Sequence, residues 1–101
     1  SRSLRVRLKA NNRNPQAGEP VEFLAQIENP SGAEAVGFAV AFRPSADVPF
    51  QVIARDGDLA PGSLMELNWE YAFPATGPHK AEVEVQNAPT AGSDFARINV
   101  K

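Results

Sequence analysis

The stretch from Ala17 to Phe42 constrains the fold of this chain more than any other, because its apolar residues recur at every second position. Such alternation is typical of β-strands that bury one face, since successive side chains of a strand point to opposite sides. Two groups of residues follow this rule: Val21, Phe23, Ala25 and Ile27, and then Val36, Phe38, Val40 and Phe42. Between them, Asn29-Pro30-Ser31-Gly32 is typical of a turn.

Five further segments show the same alternation and predict five more strands. Their predicted inward residues are Leu4, Val6, Leu8 and Ala10; Phe50, Val52 and Ala54; Met65, Leu67, Trp69, Tyr71 and Phe73; Ala81, Val83 and Val85; and Ala96, Ile98 and Val100. Pro49 precedes the Phe50 segment and predicts an edge strand there, because proline cannot donate to a ladder. Residues 87–93 predict a break before the last strand.

Seven short strands separated by turn signals roughly every 8 to 12 residues are typical of an immunoglobulin-like sandwich. We therefore predict an all-β fold, a seven-stranded antiparallel β-sandwich. A small barrel is the alternative. The loops Asn11–Gly18 and Arg55–Ser63 favour the sandwich, because they have the length of connections that change sheets.

The composition narrows the classes of partner. The 101 residues carry a formal net charge of −2 with a pI near 5.3, whereas nucleic acid and anionic membranes require a concentrated basic surface. The sequence contains no cysteine, which excludes thiol catalysis, thiolate metal sites and disulfides. We expect a protein or a carbohydrate as the partner, with no nucleic acid and no membrane.

No apolar run approaches the roughly 18 residues of a membrane span, and the first ten residues lack the features of a secretory signal. The abrupt start at Ser1 favours a domain excised from a longer protein over a complete cytoplasmic one. We therefore expect residues 1–101 to form a single domain of a larger chain.

Glycine and proline residues at the starts of predicted strands form a recognisable pattern. Ala17-Gly18-Glu19-Pro20-Val21 opens a strand that ends in Glu28-Asn29, and similar signals stand at Leu59-Ala60-Pro61-Gly62-Ser63 and Gly77-Pro78-His79. This pattern resembles the bacterial cell-adhesion-related (CARDB-type) domain over nearly the whole chain. The resemblance implies a seven-stranded immunoglobulin-like sandwich, found in extracellular bacterial and archaeal proteins as one module beside others.

Chemically reactive residues are few. His79 is the only histidine, and the nearest hydroxyl in the sequence is Thr76, so we interpret it as an ordinary histidine at the start of a strand. Asp56 and Asp58 flank Gly57 and could share a calcium ion, but no third acidic residue follows nearby, and we interpret them as a solvated turn. We predict no catalytic residue, no metal site and no cofactor.

Two surface features have structural explanations. Trp69 and Tyr71 could stack on a sugar ring, but they are in phase with the inward residues of their strand, which predicts a position in the core. Arg5, Arg7 and Lys9 could bind an anion, but if their strand lies beside the Val21 strand, cross-strand pairs with the acidic and amide side chains there account for them. Those side chains are Glu22, Gln26, Glu28, Glu66 and Glu70.

One predicted surface is less ordinary. The outward positions of the strand Ala35–Arg43 hold small residues where solvated strands usually carry threonine, lysine or glutamate. By phase, Ile53 and Phe95 extend this face. An exposed apolar patch marks contact with a partner, although long side chains such as Lys80 and Arg97 could instead shield it. The predicted partner-contact residues are Gly37, Ala39, Ala41, Ile53 and Phe95.

We therefore expect a non-catalytic interaction or spacer module of an extracellular, cell-surface or periplasmic bacterial protein, with an adhesion-related role. Its partner would be a protein or a neighbouring domain of the same chain. The alternative is a carbohydrate-binding module attached to a secreted enzyme, which would require exposed aromatic rings. An enzyme would require a cleft that combines His79 with a carboxylate and a hydroxyl.

Overall fold

A computed structural model describes residues 4–88 and 92–101. Within these residues it contains seven β-strands and no helix. The strands are β1 (Arg5–Ala10), β2 (Pro20–Glu28), β3 (Ala35–Arg43), β4 (Gln51–Leu59), β5 (Leu64–Ala72), β6 (Gly77–Gln86) and β7 (Ser93–Val100). The predicted break between the last two strands includes residues 89–91, which lie outside the described residues.

The strands form two antiparallel sheets that pack face to face. One sheet has the order β1-β2-β5, and the other has the order β4-β3-β6-β7, so β4 is an edge strand, as predicted. The seven-stranded immunoglobulin-like sandwich is thereby confirmed. The barrel alternative is wrong, because the two sheets share no strand in the described part of the chain. No helix there is long and apolar enough to cross a membrane.

The inward faces of both sheets meet in one core, and aromatic rings occupy its centre. Phe23 of β2 lies 5.8 Å from the ring of Trp69 on β5 and 5.0 Å from the ring of Phe42 on β3. Phe73 adds a further ring at 6.2 Å from Phe23. Burying an apolar side chain of this size stabilises the fold by roughly 1.5 to 3 kcal/mol, so this cluster is a main source of stability.

The two long sides of the sandwich differ. On the side where β1 meets β7, which we call the closed side, the backbone N–H of Leu8 donates to Oδ2 of Asp94 at 2.8 Å. Pro15 and Arg13 precede β2, and their carbonyls accept hydrogen bonds from the N–H groups of Lys101 and Asn99. On the side where β4 and β5 form the sheet edges, which we call the open side, no hydrogen bond joins β4 to β5 among the described residues.

The loop from Asn11 to Gly18 therefore has a different role from the predicted one. It connects β1 to β2, which are neighbours in one sheet, so the expectation that it changes sheets is wrong. The loop is long because it runs along the edge of β7, to which it is hydrogen-bonded. The expectation is correct for the other connection, since β4 and β5 belong to different sheets.

The chain enters the sandwich at one end and leaves it at the other. Arg5 pairs with Glu28 at the end where β2 finishes. Lys101 hydrogen-bonds Pro15 at the opposite end, where β2 is about to begin. The molecule measures 44 × 22 × 19 Å, so Arg5 and Lys101 are separated along its long axis.

Irregular pairing between β3 and β4 corrects one predicted core residue. Val36 pairs with Asp58 and Phe38 pairs with Gly57, which leaves Gly37 as an extra residue with a φ of 69°. Such a bulge favours glycine, because the left-handed conformation carries little cost there. The two partners, Asp58 and Gly57, are consecutive in β4 and therefore face opposite sides of the sheet. Val36 and Phe38 consequently face opposite sides as well. Val36, predicted to be buried, is 60% exposed.

The Asp56-Gly57-Asp58 segment also differs from its prediction. It belongs to β4 and is not a turn, so that interpretation is wrong. Gly57 lies directly against the ring of Phe38, and a Cβ atom there would collide with it, so glycine serves the packing. Asp56 has a φ of 55° where β4 bulges, a conformation that aspartate tolerates better than most residues.

Asn29 ties together two of the three connections that change sheets, β2 to β3 and β4 to β5, a role that its turn-like context does not indicate. Its side-chain amide donates to the carbonyls of Ala33 at 2.8 Å and Leu59 at 2.9 Å. Its side-chain oxygen accepts from the backbone N–H and the hydroxyl of Ser31. Asn29 is buried, and these bonds satisfy its polar atoms, as burial in a core requires.

Candidate functional site

The predicted row of small residues on β3 is not an exposed surface. Ala39 pairs with Gln86, and Ala41 pairs with Val52 on one side and Glu84 on the other. Ala39 is 5% exposed and Ala41 is 0% exposed. Both lie outside the core cluster, so longer side chains on the same face cover them. The expectation that these two residues are accessible is therefore wrong.

The remaining residues of that predicted face do not form one patch. Ile53 on β4 and Phe95 on β7 are 37% and 45% exposed, but they lie on opposite edge strands of the sheet. The carboxylates of Glu82 and Glu84 on β6 separate them. Lys80 and Arg97 shield Phe95, as the alternative interpretation proposed, with Lys80 Nζ 4.5 Å from the ring centroid. Gly37 is exposed at the bulge of β3.

Two of the three basic residues of β1 have the predicted neighbours. Arg5 pairs with Glu28 in register, and its Nη1 lies 3.0 Å from Glu28 Oε1. Arg7 lies opposite Gln26, whose amide donates to Glu66 at 2.8 Å, and Lys9 lies opposite Leu24. A cross-strand charge pair therefore accounts for Arg5 but not for the whole basic stripe. An exposed pair of this kind contributes only about 0.2 to 1 kcal/mol, so it serves register more than stability.

Trp69 and Tyr71 face the core, as predicted, but both are only half-buried because β5 is an edge strand. The indole ring lies 5.0 Å from Phe42, and Tyr71 lies 4.9 Å from Phe73. The Nε1 atom of Trp69 is buried and has no hydrogen-bond acceptor among the described residues. One face of the Trp69 ring is stacked against Phe23, so that face is not available to a sugar.

The carboxylates predicted as a possible calcium pair do not form a metal site together with other side chains. No group of three or more His, Asp or Glu side chains in residues 4–88 and 92–101 could hold a metal. Asp58 instead approaches Glu34. A hydrogen bond to Asp58 and the repulsion between the two groups raise the pKa of Glu34 above its ordinary value.

The fold brings together three residue types that catalysis uses. His79 Nδ1 lies 3.4 Å from the Ser45 hydroxyl, and its Nε2 lies 3.0 Å from the carbonyl of Ala75. Asp47 is also nearby. A hydrogen bond from Ser45, a second from its own main chain, and the charge of His79 lower the pKa of Asp47. The sequence did not indicate this meeting, because 34 residues separate Ser45 from His79.

The geometry of this group is that of a turn. Ser45 accepts a hydrogen bond from the N–H of Val48 at 3.2 Å, which closes the turn that contains Asp47. The Ser45 hydroxyl has one proton, which it can donate to Asp47 or to His79 Nδ1 but not to both. A backbone carbonyl, and not a carboxylate, contacts the other ring nitrogen of His79. The 3.4 Å separation of Ser45 and His79, and the carbonyl in place of a carboxylate, distinguish the cluster from an aligned Ser-His-Asp triad.

The same turn forms one wall of a cavity with cationic walls. This cavity has a volume of about 680 Å³ and is lined by Arg13, Asn14, Ser45, Ala46, Asp47, Pro78, His79, Lys80, Arg97, Ile98 and Asn99. The alternation of β6 and β7 predicts that Lys80 and Arg97 point outward. The sequence does not give the register of β6 and β7 or the position of the Arg13 loop beside them, and so it does not predict the cavity.

Comparisons with known proteins identify the fold. No protein-family profile and no curated protein sequence match this chain. Among solved structures it is similar to the PKD domain of an M14-like peptidase from a Thermoplasmatales archaeon, with a TM-score of 0.68 and 9% sequence identity. That match covers 96% of this chain and 94% of the other.

Two further similar structures are parts of longer chains. The sporulation control protein Spo0M of Bacillus subtilis matches with a TM-score of 0.66 and 13% identity, over 100% of this chain and 50% of that one. A β-glucosidase from Listeria innocua matches with a TM-score of 0.53 and 17% identity, over 96% of this chain and 16% of that one. Identities this low show the fold alone, which is an immunoglobulin-like sandwich.

Proposed function

We propose that this chain is a non-catalytic interaction or spacer module of a larger protein. The observation that carries the proposal is the position of its two ends. Arg5 lies at one end of a molecule 44 Å long, and Lys101 lies at the other. A domain with this geometry holds whatever precedes it and whatever follows it apart, at a distance that its sheets determine.

The similar structures support a modular role. The same fold is a PKD domain of a peptidase in one case and 16% of a β-glucosidase chain in another. The Ser45–His79 cluster supports the non-catalytic part of the proposal, because its hydrogen bonds serve a turn. We propose an extracellular or cell-surface location and an adhesion-related role, which follow from the CARDB resemblance.

The proposed partner is a neighbouring domain or another protein. Of the predicted contact face, only Gly37, Ile53 and Phe95 are accessible, so the proposed contact rests on these three. Phe95→Glu and Ile53→Glu should weaken docking to neighbouring domains while leaving the fold intact. Docking that is unchanged in both variants would remove this face from the proposal and leave the spacer role.

The spacer role can be tested by pulsed electron paramagnetic resonance between spin labels at the two ends. The sequence has no cysteine, so Arg5→Cys and Lys101→Cys introduce the only labels. Leu4 lies beside Gly92 and the N–H of Leu8 bonds to the Asp94 side chain, which places the two labelled backbones eight to ten strand residues, or about 26 to 33 Å, apart along the axis. A narrow distribution near this distance, widened only by the label arms, is expected. A broad distribution or adjacent ends would contradict the proposal.

The non-catalytic part is tested separately. Hydrolysis of activated esters by the purified chain should be at the background rate, with Ser45→Ala and His79→Ala indistinguishable from the parent. A rate that both substitutions abolish would show that the cluster at Ser45 is catalytic.

A further inference from the structure

The cationic cavity is a groove at the end where the chain leaves the sandwich. Its floor consists of Lys80 on β6 and Arg97 on β7, with Pro78 and Asn99 beyond them. One wall is the turn at Ser45–Asp47, and the other is the Arg13 loop. At about 680 Å³ it falls within the range of about 300 to 1,000 Å³ that is typical of small-molecule sites.

The floor of this groove holds an unfavourable pair of charges. Lys80 and Arg97 lie directly opposite each other in register, and like charges in this position destabilise a sheet. Neither has a carboxylate within salt-bridge distance among the described residues. Glu82, the next outward residue on β6, is already bound by Arg43 at 3.1 Å and a second, shorter contact. An anion in the groove would relieve this repulsion.

Phe95 holds both cations in position. Lys80 Nζ lies 4.5 Å and Arg97 Cζ lies 5.5 Å from the centroid of its ring. Cation–π contacts at this distance contribute attraction and restrict the long side chains. Because less side-chain freedom is then lost on binding, the pair is prepared to receive a ligand.

The walls add a third cation and several neutral polar groups. The carbonyl of Arg13 accepts a hydrogen bond from Asn99 at 2.7 Å, which fixes the loop against β7. Asn14 and Asn99 offer amide donors and acceptors. Asp47 is the only carboxylate in the lining, against the three cations Arg13, Lys80 and Arg97. The groove therefore combines net positive charge with groups that suit hydroxyls.

We propose that this groove binds an acidic sugar unit, a ring that carries a carboxylate or a sulfate. The cations on the floor and the Arg13 wall would bind the anionic group, and the asparagines and Asp47 would bind ring hydroxyls. A bare oxyanion would fill little of the cavity, whereas a sugar ring with its substituents fills it. This inference goes beyond the spacer role, which stands whether or not the groove is occupied.

Isothermal titration with trigalacturonate tests the proposal, with its neutral methyl ester, a sulfated trisaccharide and inorganic phosphate as comparisons. The acidic trimer should bind at least tenfold more tightly than the methyl ester, and its affinity should fall as salt is added. Tighter binding of the sulfated trisaccharide would identify sulfate as the preferred anion. If inorganic phosphate bound as tightly as the two acidic trisaccharides, the groove would recognise the anion alone. That result would contradict the proposal that it binds a sugar ring.

The decisive variant is Lys80→Gln combined with Arg97→Gln, which keeps side chains over Phe95 but removes both charges. It should lose at least tenfold in affinity for the trimer, while its Tm without ligand stays close to that of the parent, since the lost repulsion offsets the lost cation–π contacts to Phe95. Arg7→Gln combined with Lys9→Gln removes the same charge from the other sheet and should retain binding. Equal loss in both pairs, or no saturable binding by the parent, would overturn the proposal.

Discussion

The closed side and the open side of this sandwich protect their edge strands in different ways. Each side carries edge strands whose unpaired N–H and C=O groups could otherwise pair with another chain. On the closed side, the Asp94 side chain and the loop at Arg13 and Pro15 bond to those groups directly. On the open side, β4 is interrupted by bulges, and β5 carries Glu66 and Glu70 on its outward face. The edges on the closed side are covered, whereas the edges on the open side are irregular or charged and so pair poorly with a strand of another chain.

The difference extends into the core. Ile98 and Val100 of β7 and Leu8 of β1 are buried, whereas Met65 and Leu67 of β5 remain half-buried. The same alternation in sequence therefore produces different degrees of burial, depending on whether a neighbouring element covers the edge. Stability should accordingly be concentrated on the closed side.

The largest expected effect is a contrast between truncations on the two sides. Ile98→Ala should lower the free energy of unfolding by about 4 kcal/mol, because it removes fully buried atoms and leaves a cavity. Leu67→Ala should cost about 2 kcal/mol, since solvent already reaches the side chain. Urea denaturation followed by circular dichroism measures both. Equal costs would remove the distinction between the sides.

Substitutions at Trp69 test how much the open side contributes to the free energy of unfolding. Trp69→Ala should cost about 3 kcal/mol, because the indole contacts Phe23 and Phe42 although it is half-buried. Trp69→Phe should cost about 1 kcal/mol or less, since the buried Nε1 has no acceptor to lose. A denaturation midpoint that barely moves in Trp69→Ala would place this residue on the surface and revive sugar stacking at this position.

Ala41 tests the covered face of the four-stranded sheet. Ala41→Lys should cost about 2 kcal/mol, because a long side chain must displace the neighbours that bury this residue. Ile53→Lys, at a bulge on the open edge, should stay within about 0.5 kcal/mol of the parent. If Ala41→Lys were neutral in thermal denaturation, the covered face would be accessible after all.

The smallest effect concerns pH at the Glu34–Asp58 pair, where β4 runs beside the start of β3. The pKa of Glu34 is raised, so the folded state binds its proton more tightly than the unfolded chain does. Stability should therefore fall as pH rises through the raised value, and the loss should vanish below the ordinary pKa.

Asp58→Asn removes the partner and should slightly raise Tm at pH 7 while flattening its pH dependence over the interval that begins at the ordinary glutamate pKa of 4.5 and ends above the raised one. Asp56→Asn is the matched control. Any change that it causes in Tm should be the same at every pH in that interval. A pH dependence that is identical in Asp58→Asn and the parent would show that the pair does not interact.

The fold could be predicted from the sequence because alternation is a local property of the chain. β3 has the predicted bounds, and the predicted inward residues of β5 all pack against the core. The Arg5–Glu28 charge pair could also be predicted, once β1 and β2 were taken as neighbours.

The errors arose where a residue's surroundings depend on another strand. Gly37 adds one residue to β3 and so exposes Val36, a shift that alternation alone cannot show. Ala41 points outward but is covered by side chains of β4 and β6. The cationic groove combines two strands with two loops, and no local motif marks such a meeting.

Amide hydrogen exchange tests the contrast between the two sides most directly. The N–H groups of Leu8, Asn99 and Lys101 have partners on the closed side, in Asp94, Arg13 and Pro15. They should exchange slowly, at rates close to those of the core amides. Those amides of β5 that point away from β2 should exchange much faster. Equal protection on both sides, or rapid exchange at Asn99 and Lys101, would contradict the account of a sandwich sealed along one side.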